Sequence, residues 1–142
     1  DLVSPEHGKQ GERVIADPVV TVSEGNSPLI VFNTFAPTGG CETAGGFSAL
    51  LTLDPINGGR TNFAVFDLNG DDAFTADDAD SGSGAHDSGL ITESTIAPVA
   101  LISSTDGTVT YALTAALSGQ TIVTAIQGSA LNLGRQSWRE LQ

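Results

Sequence analysis

Turn-forming residues cut this 142-residue chain into pieces too short for ordinary helices. Clusters rich in Gly, Pro, Asn, Asp and Ser stand at Ser23–Pro28, Pro37–Gly40, Pro55–Gly59, Thr105–Gly107 and Ser118–Gly119. Between and around them lie short runs rich in Val, Ile, Thr and Phe: Val19–Val22, Leu29–Phe35, Ser48–Asp54, Asn62–Phe66, Ile96–Ser103, Thr108–Leu113 and Thr121–Gln127. Side chains branched at Cβ pack well on a pleated surface, so each run reads as a strand. Only Ala112–Leu117 and Ser137–Leu141 carry a helical pattern, and a single turn does not repay its own nucleation. The predicted class is all-β.

Two strand connections are specific enough to suggest an architecture. Thr105-Asp106-Gly107 between two strands predicts a hairpin turn. Ser48–Asp54 ends in Leu53-Asp54, meets the turn Pro55–Gly59, and is followed by a new strand, the pattern of a β-propeller blade. A four-stranded blade takes roughly 40–50 residues, so the chain holds about three blades' worth of strands. Three blades do not close a ring, and strand edges would stay open at both ends. Two architectures follow for a single β domain spanning 1–142: the carboxy-terminal part of a larger propeller, or a small independent antiparallel β-sandwich.

Charge narrows the partners. Seventeen acidic residues face five basic ones, a formal net charge of −12, which argues against nucleic acid and against an anionic membrane surface. Hydrophobic residues make up 39%, enough for a core, and no apolar run approaches the length of a membrane span. The chain contains no methionine and opens on no signal sequence, so the expectation is a processed product, a fragment or a trimmed form. Cys41 is the one cysteine; it is either a small buried apolar residue or half of a bridge to a segment not present here.

The charge is concentrated. Six aspartates fall between Asp67 and Asp80, and oxygen-bearing side chains recur at Asp67, Asn69 and Asp71 with another acid at Asp78. Numbered from Asp67, these are positions 1, 3, 5 and 12 of a calcium loop of EF-hand type, with the backbone carbonyl of Ala73 at position 7. Alternate residues of a tight turn aim oxygens at one point, and Ca²⁺ takes six to eight of them. Without a cation, each close pair of carboxylates repels by about 1 kcal/mol even in water. Position 6, usually glycine because the backbone there takes positive φ, is Asp72, one of the few side chains that tolerate that region. Position 12 is aspartate rather than the longer glutamate, and Asp77 is the fallback ligand if the loop closes one residue early. The competing reading is a solvated acidic loop without a fixed ion. Millimolar calcium outside the cell fills even weak sites of this kind, so the chain reads as extracytoplasmic.

Other chemistry finds little support. The calcium loop is predicted over 67–80, and residues 79–89 read as a flexible Gly/Ser/Asp insertion carrying His86. His86 and His7 lack the neighbours a zinc site needs and read as surface histidines. No Gly-x-Ser-x-Gly elbow, Gly-rich phosphate loop with lysine, or His-Glu-x-x-His motif is present. The adjacent aspartates lack the apolar pocket that raises one carboxyl pKa for acid catalysis. The chain is expected not to be an enzyme.

Several segments, in order, resemble the PilY1 family of type IV pilus biogenesis and tip-associated proteins. They are Gly11–Val14 with Asp17-Pro18-Val19, Val31–Phe35 with Pro37, Cys41 with Gly45–Ser48, Leu53-Asp54 with Asn57-Gly58, Phe66–Asp71, and the closing Gly134–Leu141. The resemblance implies a carboxy-terminal β-propeller that binds calcium and supports pilus extension, surface attachment and twitching motility. By position it implies calcium ligands at Asp67, Asn69, Asp71, the carbonyl of Ala73, and Asp78. Implied partners are pilin or minor pilin subunits, a host surface or a second copy, at the pilus tip or cell surface. Asp72 and the missing large amino-terminal region depart from the family pattern. Trp138 in the closing segment reads as a packing anchor, with a sugar-stacking platform as the alternative. A second function class is a structural subunit of a calcium-stabilised extracellular filament or matrix, built by strand pairing between chains.

Overall fold

The computed structural model describes residues 2–4, 8–38, 45–79 and 83–129. The fold is all-β, two antiparallel sheets with almost no helix. The spine of the first sheet is the twelve-residue strand β4, Ser27–Thr38, once β1 (Leu2–Ser4), β2 (Gly8–Val14) and β3 (Val19–Ser23) have been laid down. One edge of β4 pairs with β5 (Gly45–Leu53), from Ile30↔Leu53 to Thr38↔Gly45. Its other edge is shared: β3 covers the start through Val19↔Val31, and β2 covers the end through Arg13↔Phe35. Pro18, which has no N–H to give to a ladder, lies in the break between β2 and β3. β1 flanks β2, and β6 (Gly89–Thr92) flanks β5.

The second sheet is the meander β7 (Ala100–Ser103), β8 (Val109–Ala115) and β9 (Thr121–Gln127). The predicted hairpin at Thr105–Gly107 joins β7 to β8: Ser104 N donates to Val109 O at 2.7 Å, and Gly107 takes φ 79°. Beside β9 the chain adds a short fourth row. Phe66 bridges Ile126, Gln127 N donates to Val65 O at 2.7 Å, and Asp67 N donates to Ala125 O at 3.3 Å.

One core serves both sheets. Leu29, Val31 and Leu50 of the first meet Val65, Phe66, Val99, Ala112 and Ile126 on the side of the second. Each large apolar side chain buried this way contributes about 1.5–3 kcal/mol. Two polar contacts cross the same interface: Asn33 Nδ2 donates to Ala97 O at 2.5 Å, and Ile96 N donates to Ser48 Oγ at 3.2 Å. Asn33 and Ser48 are fully buried, so these bonds satisfy groups that burial would otherwise leave stranded.

Two expectations need correction. Asn62–Phe66 is not a strand paired with Ser48–Asp54; only Phe66 forms a bridge, and it does so with β9 in the other sheet. The edge of β5 away from β4 pairs with β6, reached after the acidic loop, so the blade hairpin does not form. A Cβ at Gly89 would meet the end of the Leu51 side chain, which would have to shift to admit it. Past β8, which runs through Ala115, the chain turns back at Ala116–Gly119, where Gly119 N donates to Ala116 O at 2.9 Å. β1, β2 and β6 had no counterpart among the predicted strands. His7, Cys41, Asp80, Trp138 and Ser137–Leu141 lie outside the described residues.

Candidate metal centre

The acidic loop leaves the second sheet at Phe66-Asp67 and ends near the first, where Ala79 bridges His86 just ahead of β6. It therefore forms part of the connection between the two sheets. His86 is half-buried there, and among the described residues its Nδ1 is buried without a hydrogen-bond partner.

The loop's amino-terminal half is organised by its own acids. Asp67 Oδ1 accepts from Gly70 N at 2.6 Å and from Asp71 N at 3.3 Å, while Oδ2 accepts from Asp72 N at 2.9 Å. Asn69 Oδ1 accepts from Asp71 N at 3.0 Å, and Asp71 Oδ1 accepts from Ala73 N at 2.8 Å. Asn69 and Asp71 thus each fold the backbone two residues ahead, while Asp67 gathers donors three to five residues ahead, the local bonding that Asp and Asn favour in turns. Gly70 at φ 79° and Asp72 at φ 59° supply the left-handed steps the winding requires. The position where glycine would be usual carries its aspartate in the left-handed conformation.

These donors also act on the charge. Desolvation pushes the Asp67 carboxyl up, but the N–H groups of Asp72, Gly70, Asp71 and Asn69 outweigh it and hold the group below its ordinary 3.8. Of those four N–H groups, Gly70, Asp71 and Asp72 form hydrogen bonds to Asp67, and a carboxylate offers about four lone-pair sites, so these three bonds leave capacity for a cation. Asn69 and Asp71 are exposed, and Asn69 Nδ2 donates to Asp71 Oδ2 at 3.2 Å, placing them side by side.

The carboxy-terminal half is organised differently. Asp78 is 2% exposed; its Oδ1 accepts from Leu68 N and its Oδ2 from Thr75 N, both at 2.9 Å. Thr75 caps the 3₁₀ turn Ala76–Asp78 in return, with Asp77 N donating to its hydroxyl at 3.2 Å. Asp78 thereby ties the loop's beginning to its end. Its partner Thr75 was not singled out in the sequence, although Thr75-x-x-Asp78 has capping-box spacing. Asp77, the fallback ligand, is exposed.

The predicted ligands are thus divided. Asp67, Asn69 and Asp71 are linked within one winding, Ala73 follows them, and Asp78 sits at the base on backbone donors. Among the described residues, no three His, Cys, Asp or Glu side chains stand close enough together to hold a metal ion. The donor set itself, all hard oxygens, fits Ca²⁺ rather than zinc or copper. Comparison with known protein families, curated proteins and solved structures finds no match to this chain.

Proposed function

We propose that the chain is a non-enzymatic, calcium-binding domain of a type IV pilus assembly or tip complex, acting outside the cytoplasm. The observation that carries the calcium reading is the winding at residues 67–73, with oxygens at alternate positions and Asp72 at φ 59°. Asp67, Asn69, Asp71 and the carbonyl of Ala73 would hold the ion, and Asp78 would complete the set from the base of the loop. The bound cation would supply positive charge to a segment that carries five carboxylates in twelve residues, Asp67, Asp71, Asp72, Asp77 and Asp78. Because the loop belongs to the connection between the sheets, occupancy would also brace their packing and order a surface for pilin, minor pilin or host contacts. The pilus assignment rests on the ordered sequence resemblance alone. The shared core supports a self-contained sandwich over the end of a propeller.

Thermal melting in calcium and in chelator tests the reading, with Asp67→Asn/Asp71→Asn as the comparison. Stabilisation by calcium in the wild type and its loss in the double variant supports the site. Equal stabilisation of both removes it.

A second reading has its own observation. β6 and β7 are edge strands and carry the exposed Ile91 and Ile102, apolar side chains that strand pairing between copies would cover. A calcium-stabilised filament or matrix subunit would use those edges. Size-exclusion chromatography separates the two readings: calcium-dependent polymers favour the filament, and a monomer that binds pilin favours the pilus complex.

A further inference from the structure

A second acid-built turn frames a pocket away from the loop. Asp54 Oδ1 accepts from Ile56 N at 2.8 Å, its Oδ2 accepts from Asn57 Nδ2 at 2.6 Å, and Gly59 N donates to Asn57 Oδ1 at 2.6 Å. Backbone bonds Asp54 N to Gly59 O at 2.9 Å and Gly58 N to Asp54 O at 2.8 Å close the turn. Just beyond it, Thr61 is buried and its hydroxyl donates to Phe63 O at 2.8 Å. Arg60 is therefore held between two pinned residues. It lines a pocket of about 350 Å³ with Ser27, Asn57, Thr61, Asn62 and Phe63. Among the described residues Arg60 makes no ion pair and no side-chain hydrogen bond, although the chain has seventeen acids to offer.

We propose that this pocket binds a carboxylate-bearing sugar unit, a uronate, with Arg60 as its anchor. The guanidinium fork matches a carboxylate with two parallel bonds. The amide of Asn62 and the hydroxyl of Ser27 suit ring hydroxyls, while Phe63 and the 83% exposed Ile56 offer apolar surface to a sugar face. Asp54 also lines the pocket, but both its oxygens are engaged by the turn. It disfavours a doubly charged phosphate more strongly than a single carboxylate.

NMR titration of the full chain with D-glucuronate tests the proposal, with glucose, acetate and inorganic phosphate as separate arms. Saturable shifts over residues 56–63 are expected with glucuronate, and binding at least about tenfold weaker with each of the other three. Arg60→Gln should weaken glucuronate by about tenfold or more, the loss of a charged hydrogen-bonding partner. Arg60→Lys, which keeps the charge without the fork, should fall between. Arg13→Gln and Asp67→Asn/Asp71→Asn should bind as wild type, which keeps this test independent of the calcium site. Absence of saturable shifts, equal binding of glucose, acetate or phosphate, or unchanged binding in Arg60→Gln overturns the proposal.

Discussion

The turn at Asp54 and the loop at Asp67 are made with the same device, an aspartate whose oxygens collect donors from the residues just ahead. They differ in what they do with charge. The Asp54 turn closes on one carboxylate, whose two oxygens take one donor each, and needs nothing more. The Asp67 loop repeats the device at Asn69 and Asp71, engages Asp78 on the N–H groups of Leu68 and Thr75, and still adds Asp72 and Asp77. A turn that only had to reverse the chain would have stopped at the first aspartate. The surplus is what the proposed cation would balance, so the contrast is between a turn complete in itself and a loop with charge left over.

Substitutions rank the comparison from its largest effect downward. Phe66→Ala, at the residue where the Asp67 loop leaves the core, should cost about 3–5 kcal/mol in denaturant unfolding. A smaller loss would mean that the loop is not anchored through that side chain. Asp78→Ala should cost about 2–3 kcal/mol, because it strands the N–H groups of Leu68 and Thr75 beside a buried position. A near-neutral result would reduce Asp78 to a surface acid. Asp54→Ala should cost only about 1 kcal/mol, as its donors can turn to water, and should leave any calcium response intact.

The smallest effect is acid sensitivity. Asp67 is held below 3.8 in the fold, so its stabilising bonds are fully present above that value and are lost as pH falls through the lower, folded pKa. Asp106 in the β7–β8 hairpin behaves alike: the Ser104 hydroxyl, then the N–H and hydroxyl of Thr108, hold it down. Carboxyl NMR titrations should place both midpoints below 3.8. A midpoint for Asp67 above that value would contradict the donor network around it.

The local devices were legible in the sequence because each is specified within a few residues. The Thr105–Gly107 hairpin, the left-handed step at Asp72 and the strand character of Leu29–Phe35 all follow from residue type and spacing. Partner choice was not legible. Nothing in Asn62–Phe66 records that Phe66 fits beneath β9 rather than beside β5, because alternation specifies a buried face and not the neighbour on its edge. β6 escaped notice as four residues in a Gly/Ser/Asp-rich stretch, and β2 because Gly-Lys-Gln-Gly-Glu-Arg-Val is mostly polar. In the loop, the alternation of oxygen-bearing side chains was visible but the burial of Asp78 was not, since that depends on where the chain returns after residue 73.

Calcium-dependent melting tests the central claim most directly. At calcium tenfold above the dissociation constant, binding should stabilise the wild type by roughly 1.4 kcal/mol. For a chain of this length that is a rise of a few degrees in Tm. The account predicts that rise in the wild type and in Asp54→Ala, and no rise in Asp67→Asn/Asp71→Asn. A wild type indifferent to millimolar calcium, or a double variant that gains as much as the wild type, would contradict it.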